Sequence, residues 1–214
     1  MNKEWSELNK TMQAQIKKKD TYKMGIDTLF NLRRQLMQTL VSFKEDLCRE
    51  DFNAIPFINA DGYHSKTIAY SIWHIFRIED IVAHTVITED EQVFFTGNYQ
   101  VRINSPIITT GNELVKQQIA DFSKQLNLEE LYSYIFEVRE STEKILERFS
   151  YDELKWKIPD ERKGYLKSLN VVNCDEKAIW LIDYWCSKDI RGLIQMPFSR
   201  HWIMHTEEIG RASC

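Results

Sequence analysis

Apolar residues recur every three or four positions through most of the chain, which is the spacing of one face of an α-helix. The first such stretch predicts a helix from about Thr21 to Leu47. The same repeat predicts long helices from Ser65 to Thr88, from Leu128 to Phe149 and from Asp175 to just before Pro197. On the first helix, five polar residues between the apolar ones are expected to face water: Asn31, Arg33, Arg34, Gln38 and Lys44.

Two shorter helices are predicted over Asn112 to Leu126 and over Phe198 to Arg211. Residues 53 to 66 contain Pro56 and an Asp-Gly pair, so they are expected to form a connection. Residues 88 to 111 predict a long crossover with at most one short extended piece at Tyr99 to Ile103, and residues 150 to 164 predict a loop.

Composition agrees with an all-α protein. The 214 residues include 7 glycines and 4 prolines, too few for a turn-rich β fold. The glycines are also too dispersed for a phosphate-binding glycine motif. Without an internal repeat or a flexible linker, we predict a single domain over residues 1 to 214, built as a four-helix bundle with long crossovers and accessory helices.

Charge and cysteine content limit the binding partners and the cellular location that are expected for the protein. A formal net charge of −4, with both signs mixed, offers no basic surface for nucleic acid or anionic membranes, and neither is expected as a partner. The N-terminal residues lack the apolar segment of a secretory signal, so a cytoplasmic location is expected. The four cysteines form no Cys-x-x-Cys pair and are predicted to be reduced thiols.

Histidines carry the candidate chemistry. His201 and His205 are four residues apart on the last predicted helix, so their imidazoles share one face, and that face also carries apolar residues. His74 lies on the apolar face of the second long helix. In contrast, His84 is expected at the surface and His64 in the loop before that helix.

Three imidazoles converging in an apolar interior would repel one another if protonated, whereas one divalent ion accepts a lone pair from each. His74, His201 and His205 are therefore predicted metal ligands, with zinc or nickel as the first candidates. Three protein ligands leave positions open, which is typical of a catalytic site.

Two further features lie near these histidines. Glu208 falls on the same stripe as His201 and is a candidate to orient a ligand histidine or to accept a proton from the nucleophile. The six tryptophans are expected mainly in the core, and Trp73 and Trp202, which flank candidate ligands, are the two candidates among them to line a pocket.

The segments Ser71-Ile72-Trp73-His74-Ile75 and His201-Trp202-Ile203-Met204-His205 resemble the DinB/YfiT-like superfamily. The resemblance implies a four-helix bundle that holds a divalent metal ion through His74, His201 and His205. The tripeptide Arg-Gly-Gln that often follows the last histidine in that family is here Thr206-Glu207-Glu208.

The family includes thiol-dependent transferases and isomerases and metal-dependent hydrolases. We therefore expect a small-molecule substrate, activation of a thiol or a water, and a low-molecular-weight thiol cosubstrate, with thiol transfer slightly favoured over hydrolysis. A homodimer is also expected from this resemblance.

Other classes of site fit less well. A zincin protease needs Glu directly after the first histidine of the pair, where Trp202 stands. No Glu-x-x-His motif of a di-iron bundle occurs, and no serine or cysteine lies beside a histidine in a recognisable nucleophile motif. A non-catalytic metal-binding or stress-associated bundle stays open as the alternative. A fourth ligand such as Glu208 would favour that module, and an open position beside an apolar pocket would favour an enzyme.

Overall fold

A computed structural model describes residues 2–55 and 66–212, and the predicted all-α class is confirmed. Within those ranges there is no strand, only an isolated bridge between Lys157 and Asp189. The α-helices are α1 Lys3–Gln15, α2 Tyr22–Asp46, α3 Arg49–Asn53, α4 Ile68–Asp80, α5 Val93–Thr96, α6 Tyr99–Ile103, α7 Gln117–Gln125, α8 Leu128–Arg148, α9 Glu161–Leu169, α10 Glu176–Cys186, α11 Ile190–Gln195 and α12 His201–Ala212.

Four of these helices, α2, α8, α4 and α12, contact one another in a closed ring. This ring is compatible with the expected four-helix bundle. Helices α9 and α10 pack against the segment that follows α4, as accessory helices would. No helix in the described ranges combines the length and apolar character needed to cross a membrane.

Helix α4 lies at the centre, and all of its residues are buried. It begins where the Thr67 hydroxyl accepts a hydrogen bond from the backbone N–H of Tyr70 at 3.1 Å. The helix continues as a π-helical segment, Ile81–Thr88, so the predicted end at Thr88 is correct although the winding changes. The segment ends at Glu89, whose left-handed φ of 62° turns the chain.

The extended piece expected at residues 99 to 103 is wrong, because this segment is helix α6. Alternating strand spacing would place Tyr99, Val101 and Ile103 on one buried face. Instead Tyr99 and Ile103 are buried one helical turn apart, and Val101 is 71% exposed. Because this segment has only five residues, its apolar positions fit both the strand period and the helical period. The packing favours the helix.

Other boundaries also differ from expectation. Helix α1 was not predicted; it begins at Asn2, whose side chain caps the first turn, and packs along α2. The predicted loop at 150 to 164 contains the start of α9. The single helix expected after Asp175 is divided into α10 and α11, because the Asp189 side chain accepts from the N–H of Gly192 at 2.7 Å and starts a new helix.

Arg33 contradicts the expectation that it faces water, since it is fully buried. Its guanidinium donates two hydrogen bonds to the carboxylate of Glu79, at 2.7 and 2.9 Å, and a third to the backbone carbonyl of Phe198 at 3.1 Å. The Glu79 carboxylate also accepts from the indole N–H of Trp202 at 2.6 Å. Arg33 lies over the ring of Trp202, 4.3 Å from its centroid.

These contacts keep the guanidinium of Arg33 protonated. Burial alone would lower the pKa of its guanidinium, but the carboxylates of Glu79 and Glu143 more than offset that effect, so its pKa lies above the ordinary value. The pair joins α2 to α4, and Trp202 extends the connection to α12.

Replacing Arg33 with Met is expected to lower the free energy of unfolding by about 3–5 kcal/mol, because it leaves the Glu79 carboxylate buried without its partner. The adjacent Arg34→Met is the matched control: Arg34 is exposed and among the described residues bonds only to Asn31, so its loss should cost about 0.5 kcal/mol or less. Urea unfolding of both variants measures the difference. Similar losses of unfolding free energy in the two variants would contradict the role assigned to the buried Arg33–Glu79 pair.

Candidate metal centre

The structure brings His74, His201 and His205 together, as predicted. One potential ligand nitrogen from each ring lies within 4.8 Å of the other two, and all three residues are buried. The centroid of the His74 ring is 5.1 Å from that of His201 and 5.0 Å from that of His205. The rings of His201 and His205 are 4.6 Å apart. Three imidazoles from two helices therefore face one small volume.

Hydrogen bonds determine which ring nitrogen carries the proton in two of these histidines. His74 Nδ1 donates to the backbone carbonyl of Thr110 at 2.8 Å. His205 Nδ1 donates to Glu208 Oε2 at 2.6 Å. A carbonyl or carboxylate oxygen only accepts, so in the neutral ring the proton is on Nδ1 and the Nε2 lone pair is available to a metal.

His201 differs from the other two. Its Nδ1 is buried and has no hydrogen-bond partner among the described residues. A buried polar atom without a partner costs about 1–3 kcal/mol, which is a reason to suspect a missing ion or ligand. The residues present therefore fit a divalent cation: two rings are oriented to offer Nε2, and the third lacks a partner of its own.

Burial keeps the three rings neutral. Desolvation is the largest cause of the lowered pKa of His74, and the nearby His205 and Lys66 lower it further. Desolvation also dominates at His201 and His205, although the hydrogen bond to Glu208 opposes it at His205. Neutral imidazole is the form that coordinates a metal, so the site holds its ligands in the binding state.

A π-helical turn, Met196–Arg200, places the histidine pair. Pro197 has no N–H to donate, and the N–H of His201 donates to the carbonyl of Met196, five residues earlier. Helix α12 starts directly at His201, and His205 follows one turn later on the same face. On α4, the ring of Tyr70 stacks on that of His74, with centroids 5.6 Å apart.

A cavity of about 300 Å³ adjoins the three rings, and all three histidines contribute to its wall. Trp73 and Trp202 do not line this pocket; both are fully buried in the apolar core, the position expected for most of the tryptophans. The tryptophans at the cavity are Trp180 and Trp185, both on α10. That helix showed only an apolar repeat in the sequence, and nothing local indicated that it would reach the histidines.

No protein-family model, curated protein or solved structure matches the chain. The chemistry of the site therefore rests on its own geometry.

Glu208 lies where the sequence placed it, on the histidine face of α12. It contacts Nδ1 of His205, the ring nitrogen opposite the one available to a metal. A carboxylate in this position orients the imidazole and increases the basicity of its other nitrogen.

His84 is buried, which contradicts the surface position expected for it. Its Nδ1 donates to Asp90 Oδ1 at 2.7 Å, and its Nε2 accepts from the Ser141 hydroxyl at 3.0 Å. These bonds attach the π-helical segment after α4 to α8. His84 is outside the three-histidine cluster, and His64 lies outside the described residues.

The order Ser141, His84, Asp90 is that of a serine hydrolase triad, although no local motif indicated it. Ser141 is in the interior of α8, where backbone N–H groups are already bonded along the helix. These groups offer no oxyanion hole, which supplies a large part of catalysis in such enzymes. We therefore assign the three residues to the attachment of the π-helical segment.

Replacing His84 with Ala is expected to lower the free energy of unfolding by about 1–3 kcal/mol, because it leaves a cavity and breaks two hydrogen bonds. Metal binding by the folded variant should be unchanged, since His84 is not in the cluster. Thermal unfolding and metal titration of the same sample measure both effects. A loss of metal affinity would contradict this placement.

The lowered pKa values predict a pH dependence of stability in metal-free protein. Below the ordinary pKa of 6.5 the unfolded chain protonates these histidines while the folded protein resists, so the free energy of unfolding should fall as the pH is lowered. Each ring contributes up to about 1.4 kcal/mol per pH unit.

Replacing His201 with Leu removes one of these rings, so its stability should fall less steeply between about pH 6.5 and 5. Urea unfolding in the presence of a chelator, at a series of pH values, compares the two slopes. Equal slopes would show that His201 is not held neutral.

Proposed function

We propose that this protein is a DinB-like metal-dependent enzyme in which His74, His201 and His205 hold one divalent ion, zinc or nickel. The observation that carries the proposal is the convergence of three buried, neutral imidazoles at the wall of a cavity. A divalent ion bound there would lower the pKa of a thiol or a water so that its anion acts as a nucleophile near neutral pH.

The protein's own groups hold and orient this site. The Thr110 carbonyl and the Glu208 carboxylate keep the proton of His74 and His205 on Nδ1. Glu208 is proposed as a positioning residue, the first of the two roles expected for it. The buried indole ring of Trp185 on α10 excludes bulk water from one side of the cavity, which strengthens electrostatic interactions inside it.

The cavity supports a preference between the two reactions. A thiol cosubstrate is bulkier than water and needs space beside the ligand nitrogens, which a volume of about 300 Å³ supplies. We therefore propose thiol transfer to a small electrophile before hydrolysis.

A non-catalytic metal-binding module is the second candidate. It would be favoured if a fourth protein ligand closed the coordination sphere. Among the described residues the cluster contains only the three histidines, and Glu208 contacts the nitrogen of His205 that faces away from a metal. These contacts favour an open coordination position. The homodimer and the cytoplasmic location remain predictions.

Metal binding and turnover are tested with purified protein that carries no histidine tag. Elemental analysis is expected to find about one zinc or nickel ion per chain, and replacing any one of His74, His201 and His205 with Ala should cut the content sharply. Metal-loaded protein should then conjugate a small electrophile to a low-molecular-weight thiol, or hydrolyse a test amide, faster than His201→Ala does.

Glu208→Gln separates positioning from metal retention. The amide can still contact His205 but lacks the charge that makes the imidazole more basic, so metal affinity should fall about 10–100-fold, while excess metal refills the site. Full metal occupancy in the triple histidine variant would disprove the site. Metal-replete protein with no rate above that of free metal would favour the non-catalytic module.

A further inference from the structure

The cavity beside the three histidines has an apolar wall. Helix α10 contributes Trp180 and Tyr184, whose rings pack edge to face with centroids 5.6 Å apart. Met196 and Met204 add flexible apolar side chains. Trp180 is 49% exposed, which is unusual for so large an apolar residue and places its ring where a ligand can cover it.

The same cavity has two polar groups that are not histidines. Lys66 precedes the cap of α4 and is half-buried, with its ammonium 5.9 Å from the centroid of the Tyr70 ring. Burial lowers the pKa of this lysine, and the charge of Glu208 opposes that shift. A cation drawn into an apolar cavity is costly to desolvate, and an anion placed against it offsets that cost.

Asn112 lies on the same wall, and its Oδ1 is buried without a hydrogen-bond partner among the described residues. A ligand with an N–H or O–H group would satisfy this atom. A purely apolar ligand would leave it unpaired and would also separate Lys66 from water. Lys66 and Asn112 therefore both favour a ligand that combines an anionic group with a hydrogen-bond donor.

We propose that the substrate is a small organic anion with an aromatic body and a hydrogen-bond donor; an N-acylated aromatic amino acid has these three features and serves as the binding probe. Its anionic group pairs with Lys66, its N–H faces Asn112, and its ring packs against Trp180 and Tyr184. The volume of about 300 Å³ is at the lower end for ligand sites and limits the substrate to a small molecule. That this ligand is also a substrate rests on the proposed metal-dependent function.

Binding to metal-free protein isolates the role of Lys66, because a carboxylate could also coordinate a metal. The probes are N-acetylphenylalanine, its neutral amide and N-acetylglycine, each titrated calorimetrically in the presence of a chelator. The aromatic acid is expected to bind about tenfold more tightly than its amide, the effect of one charge-assisted contact. It should also bind more tightly than N-acetylglycine, which lacks the ring.

Variants assign each contact. Lys66→Met should abolish the preference for the acid over the amide, and Lys66→Arg should keep it. Trp180→Ala should weaken the acid and the amide by the same factor. Trp156→Ala is the matched control, because Trp156 is 58% exposed but is not at the cavity, and it should change neither affinity.

Equal affinities for the acid and the amide, or no binding of either at millimolar concentration, would overturn the proposal. So would a preference for the acid that survives in Lys66→Met. If the preference holds but elemental analysis and metal titration show that the untreated protein binds no metal, the ligand class stands and the metal-dependent function fails. If metal binds but the two probes bind equally, the function stands and the ligand class fails.

Discussion

The carboxylate of Glu79 lies at the centre of the protein, and the position of the histidine cluster depends on how that charge is neutralised. A buried carboxylate is tolerated only when donors surround it, and here Arg33 and Trp202 supply them. Glu79 is on the same helix as His74, and Trp202 stands between His201 and His205 in the sequence. The hydrogen bond from Trp202 to Glu79 thus links α12 to α4, the two helices that carry the clustered histidines, and the ion pair links α4 to α2. Arg33 also bonds to the turn that leads into α12.

The histidine cluster shows how buried basic groups are kept ready for a ligand. Each ring is withdrawn from water, which disfavours the protonated form that cannot coordinate a metal. His74 and His205 each donate their only N–H to an oxygen, that of the Thr110 carbonyl and that of the Glu208 carboxylate. The remaining lone pair of each of these two rings, on Nε2, is therefore available to a ligand. Groups with pKa values shifted by burial often cluster at functional sites, which supports the metal-binding role proposed for these histidines.

The sequence was sufficient to predict the long helices and the three clustered histidines, because both depend on spacing along a helix. His201, His205 and Glu208 are separated by three or four residues, so one helix fixes their relation, and His74 follows from its apolar neighbours. The positions of Arg33, His84 and Trp180 depend on contacts distant in sequence. The sequence pattern of α2 predicts a surface position for Arg33, but its partner Glu79 is 46 positions away. Likewise, His84 bonds to Ser141 on α8, and Trp180 reaches the cavity through the packing of an accessory helix.

The wide turn before α12 sets the angular phase of the last helix. It holds one more residue per hydrogen-bonded ring than an α-helix, between the carbonyl of Met196 and the N–H of His201. Each residue of an α-helix advances the side chains by about 100°. Losing one residue from this turn would therefore rotate every following side chain by about a quarter of a circle, carrying both histidines away from His74. The register of a single turn thus decides whether the three histidines converge at one point or lie apart.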